Sequence, residues 1–64
     1  MWNPIHETVY SIVVAYGSVT LPFLEEQAEW LGVSKKETDD CVSDMIMSGV
    51  VCSPAPGHIQ PRRI

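Results

Sequence analysis

Ser34 to Ser48 (SKKETDDCVSDMIMS) is a stretch whose ends and periodicity leave few folds open to a chain this short. Ser34 and Glu37 have the S-x-x-E spacing of a capping box. In that device the serine oxygen takes the backbone N–H three residues on, while the glutamate reaches back to the cap. A helix is therefore expected from Lys35. Thr38, Cys41, Val42, Met45 and Ile46 recur at steps of three and four and share one side of a 3.6-residue repeat. Lys35, Lys36, Asp39, Asp40, Ser43 and Asp44 take the other. Gly49 stops the helix, because a residue free to adopt positive φ is what a helix C-terminus commonly needs. The period then changes: Val50-Val51-Cys52 is short and β-branched, Pro54-Ala55-Pro56-Gly57 turns the chain, and His58-Ile59-Gln60 returns alongside.

What precedes this unit fits it. Asn3-Pro4 opens a first helix, with Asn as N-cap and Pro at the first helical position, where its missing N–H costs nothing. Ile5, Val9, Ile12, Val13 and Tyr16 form its apolar stripe, and Gly17 ends it. Ser18-Val19-Thr20 is too short to stand alone and is expected to add a bridging edge to the hairpin, with Val19 pointing inward. Thr20 is the expected cap of a second helix, with Pro22 in its first turn and Glu25 and Glu26 near the positive end of the dipole. Leu24, Ala28 and Leu31 make its inward stripe, flanked by Phe23 and Trp30, and Gly32 is the stop. Val33 is the buried residue of the short turn before Ser34. The whole reads as a mainly α chain with a small β-hairpin, a winged helix-turn-helix of three helices plus a wing. Its helices cover about 4–16, 21–31 and 35–48, its wing about 50–60, and the tail 61–64 is expected to fray.

Length allows one domain with a marginal core. The longest apolar run, Ile12 to Tyr16, is far below a membrane span and below a secretory h-region, so a cytoplasmic protein is expected. Cys41 and Cys52 have neither C-x-x-C spacing nor a histidine pair at zinc-ligand distance, and read as buried free thiols. Nothing in the sequence calls for a metal or cofactor. His6 and His58 stand near opposite ends of the chain, and no nucleophile has a prepared context, so an enzyme is not expected. The neighbouring carboxylates Glu25-Glu26 and Asp39-Asp40 diverge by about 100° on a helix and read as solvated surface charge.

The run Gly49-Val50-Val51-Cys52-Ser53-Pro54-Ala55-Pro56-Gly57-His58-Ile59 resembles the C-terminal winged-helix domain of archaeal minichromosome maintenance helicases. In that family a glycine, a short strand, a P-x-P-G turn and a further apolar strand residue close the wing. The likeness covers the last third of the chain closely. The two helices before it agree in order, length and turn position, and the first helix agrees in type. Cys52, Ala55 and His58 stand where the family pattern has an aromatic, a basic residue and an aromatic, so the resemblance implies no basic wing tip here. It does imply a non-catalytic module that regulates a DNA-replication helicase, docking against the helicase core or a loader-like protein.

Eight acidic residues against four basic ones give a formal net charge of −4, which opposes the counterion-release term of non-specific DNA binding. The candidates for DNA contact are Lys35 and Lys36 at the start of the third helix, Ser43 and Met47 farther along its outward side, and Arg62 and Arg63 beyond the wing. Glu37, Asp39, Asp40 and Asp44 on the same helix oppose them. Trp30 is expected to cover the edge of the core. If exposed, it forms a docking face with Glu26 and Glu29, since tryptophan is enriched in interface hot spots. Trp2 either joins such a surface or packs over the first helix. Two functions follow: a protein-docking module with weak DNA contact, or a free-standing DNA-binding transcriptional regulator.

Overall fold

The computed structural model describes residues 3–62, so the expectations for Trp2 and Arg63 fall outside the described residues. Its elements run α1 (Pro4–Tyr16), β1 (Val19–Thr20), α2 (Leu21–Trp30), α3 (Lys35–Ser48), β2 (Val51–Cys52) and β3 (His58–Pro61). The three strands form an antiparallel sheet in the order β1-β3-β2, with Val19 opposite Ile59, Thr20 opposite His58, Val51 opposite Pro61 and Cys52 opposite Gln60. Three helices with this small sheet make a winged helix-turn-helix. The wing strand runs one residue past the expected end, and Arg62 N–H continues the pairing to Val50 C=O at 3.1 Å.

Local chemistry explains where the helices start and stop. Asn3 Oδ1 accepts from the backbone N–H groups of Ile5 and His6, and Ser34 and Glu37 complete the capping box in both directions. Thr20 occupies the N-cap of α2 but its side chain makes no cap hydrogen bond, contrary to expectation. Instead, Leu21 N–H donates to Gly57 C=O at 2.7 Å, which pins the wing tip to the start of α2. Helices α2 and α3 end in the same way. Gly32 N–H reaches Glu29 C=O and Val33 N–H reaches Ala28 C=O, while Gly49 and Val50 make the matching pair to Ile46 and Met45. This Schellman geometry needs a left-handed residue after the cap, supplied by Gly32 at φ 86° and Gly49 at φ 81°.

Val9, Ile12 and Val13 of α1, Leu24 and Ala28 of α2, and Cys41, Val42 and Met45 of α3 form one core with Val19, Val33, Val51 and Ile59. All three helices pack on one another, and α1 and α3 also rest on the sheet. Thr38 is fully buried within α3, its Oγ1 donating back to Ser34 C=O at 3.0 Å. Three apolar residues depart from the inward places read from their spacing, and a fourth, Trp30, from its expected cover of the core edge. Tyr16 is 58% exposed and meets Phe23 edge-on at 5.0 Å between ring centroids; Ile46 is 39% exposed at the margin of the core face. Leu31 is 62% exposed, because α2 stops at Trp30 and the chain leaves the helix before Leu31 completes the stripe; Val33 is buried as expected. Trp30 is 79% exposed and does not cover the core edge.

Candidate functional site

Two faces collect the residues with functional chemistry. The first is the outer ridge of α3, where steps of three and four align Lys36, Asp40, Ser43 and Met47. All four are exposed, Met47 by 86%. The helix distributes its four acids unevenly. Glu37 Oε1 accepts from Ser34 N–H in the cap, Asp39 turns toward α2, and Asp44 Oδ2 lies 3.3 Å from His6 Nε2, which leaves Asp40 on the ridge itself. Lys35 is exposed but sits beside the Glu25 carboxyl, whose ionised form it favours. Arg62 lies at the other end of α3, its guanidinium 3.2 Å from where a Cβ on Gly49 would stand. A rise of 1.5 Å per residue over this helix separates Arg62 from the lysine pair by roughly 20 Å. The basic candidates therefore do not converge on one phosphate.

The seam between α2 and α3 corrects the reading of Glu25 and Asp39 as independent solvated charges. Asp39 Oδ1 is buried without a hydrogen-bond partner. The Glu25 carboxyl is held above the ordinary glutamate range first because its protonated form can donate a hydrogen bond to the facing Asp39 carboxylate, then by burial and by the Asp39 charge, with Lys35 acting in the opposite sense. Ionising both carboxyls sets like charges against each other across the helix-turn-helix. No spacing within the sequence relates these two residues, since only the packing of α2 on α3 brings them together.

The second face is the C-terminal end of α2. Trp30 and Leu31 are adjacent and both largely bare, and Glu26, one turn before Trp30, and Glu29 are exposed beside them. Trp30 stands two residues beyond buried Ala28, which turns it about 200° from the core. The sequence pointed to Trp30, Glu26 and Glu29 here. Leu31 was missed, because its spacing from Ala28 suits an inward position as long as the helix is assumed to continue.

His6 was also missed. It is buried at the α1–α3 contact, with Nδ1 2.9 Å from Asn3 Oδ1 and Nε2 facing Asp44. Its position beside the Asn3-Pro4 cap was the only linear signal. Cys41 is buried as expected, and burial, reinforced by Asp44, Asp40 and Glu37, pushes its thiol up and away from the reactive thiolate. Cys52 is only partly buried, contrary to expectation, because β2 lies at the edge of the sheet; its Sγ accepts from Gln60 Nε2 at 3.6 Å. Gly17, Cys52, Gln60, Pro61 and Arg62 line an open cavity of about 420 Å³ beside the wing. Among the described residues, no group of three or more His, Cys, Asp or Glu side chains is placed to hold a metal ion, and no helix is long and apolar enough to cross a membrane. No family model, curated protein or solved structure matches the chain.

Proposed function

We propose that this chain is a non-catalytic winged-helix module that works by docking to a protein partner, with DNA contact secondary. The wing's resemblance suggests the setting: a regulatory domain of a cytoplasmic DNA-replication helicase of the archaeal minichromosome maintenance type, held against the helicase core or a loader-like protein. The observation that carries the docking reading is the exposed Trp30–Leu31 pair on α2, set against basic residues split between the start of α3, with Lys35 and Lys36, and its far end, with Arg62. A buried aromatic anchor is the usual source of interface energy. Two lysines at one end of a helix that also carries four acids give little counterion release.

A second reading, a free-standing DNA-binding transcriptional regulator, draws support from the exposure of Lys36, Ser43 and Met47 along the outer ridge of α3. Titration with duplex DNA separates the two. Two phosphate contacts predict about a tenfold loss of affinity for a fourfold rise in salt, whereas a dedicated reader making six to ten contacts loses roughly 10³ to 10⁵. Weak binding with the shallow slope is expected. Tight binding with the steep slope, abolished by K35E/K36E, would replace docking with the regulator.

A further inference from the structure

We infer that the Trp30–Leu31 end of α2 receives an arginine-bearing apolar segment of the partner protein. This rests on the docking reading above and adds the chemistry of what docks. Helix α2 carries Glu25, Glu26 and Glu29 and no lysine or arginine, and its C-terminal carbonyls add partial negative charge at Trp30. The carboxylates nearest the two bare apolar side chains along α2 are thus Glu26 and Glu29, since Glu25 faces Asp39 in the seam and Lys35 and Lys36 lie beyond the turn. Apolar partner groups answer the indole and the leucine, and cations answer the carboxylates.

Arginine fits both requirements at once. Its planar guanidinium stacks on an indole face and binds carboxylate in bidentate fashion, and Glu26, four residues before Trp30, lies on the same side of the helix. Lysine supplies the charge without the plane. A second copy of this chain is a poor occupant, because it brings a net charge of −4. Duplex DNA meets Glu26 and Glu29 here. A short segment rather than a broad surface suits the size of the patch, since two side chains cover far less than the roughly 800 Å² per partner of a standard interface.

The test uses the full chain carrying Trp2→Phe, so that Trp30 supplies the only indole N–H signal, titrated by NMR with three amphipathic peptides of equal length and leucine pattern. Their polar positions are arginine, lysine or glutamate. The arginine peptide is expected to shift the Trp30 indole and the Leu31 amide and to bind about threefold or more tighter than the lysine peptide. The glutamate peptide is expected not to bind. Trp30→Ala should weaken the arginine peptide about 30-fold, the hot-spot range. E26K/E29K should invert the preference toward glutamate, and the isosteric pair E26Q/E29Q, which should abolish it, serves if the reversal unfolds the chain.

Equal binding of all three peptides at Trp30, a lysine preference, self-association through Trp30, or no shift at Trp30 with any peptide would each overturn the inference. Equal binding at Trp30 leaves the docking reading standing. Tight, steeply salt-dependent DNA binding by the same sample removes that reading as well.

Discussion

Truncating Trp30 of α2 and Met45 of α3 should have very different effects on stability, in the reverse order of their size. Met45 is fully buried among the side chains of all three helices and the sheet, whereas Trp30 is 79% exposed. Met45→Ala removes a thioether from a packed core and leaves a cavity, which costs about 2–5 kcal/mol. A tryptophan in a core buries roughly 200 Å², so the fifth that Trp30 keeps from water amounts to about 40 Å² and about 1 kcal/mol at ~25 cal/mol per Å². A domain of this length has a total stability of roughly 3–10 kcal/mol, so the first loss is a large part of the whole and the second a small one. At roughly 4–8 °C per kcal/mol, Met45→Ala should lower the melting midpoint by roughly 10 °C or more, and Trp30→Ala by less than about 8 °C. Far-UV circular dichroism followed through heating and through urea measures both. A loss of more than about 3 kcal/mol for Trp30→Ala would show the indole packed into the core, and the docking face would go with it.

Other expectations are narrower. Because Asp39 raises the Glu25 carboxyl in the folded state, folding binds a proton there more tightly than the unfolded chain does. The stability this contributes is fully present below the unfolded glutamate value and is lost as pH rises through the raised folded one. Glu25→Gln should therefore stabilise the chain near about pH 7 and lose that advantage near about pH 4, as read by thermal melts at both; a pH-independent difference would dissolve the proposed carboxyl pair. Ser34→Ala removes the oxygen that accepts Glu37 N–H at 3.2 Å and should cost about 1 kcal/mol in urea unfolding, within the usual range for an N-cap. No measurable change would mean that Glu37 and solvent satisfy this helix start unaided.

The chain itself determined its punctuation. Asn3-Pro4, Ser34 with Glu37, and glycines 17, 32 and 49 fix where the helices begin and end, since capping and left-handed φ depend on residues within a turn of one another. The apolar spacing that selects Val9, Val13, Leu24, Ala28, Val42 and Met45 for the core is equally local. Only tertiary structure decided the rest. It placed Glu25 against Asp39 and His6 against Asp44, and it put Arg62 at the far end of α3 from Lys35 and Lys36. Leu31 and Trp30 show the same division within a single turn. Spacing from buried Ala28 already turns Trp30 outward, whereas it assigns Leu31 to the interior; α2 ends at Trp30, so Leu31 leaves the stripe and both side chains remain in water. Helical spacing is set by backbone geometry along one segment, whereas burial depends on which neighbouring segment arrives to cover it.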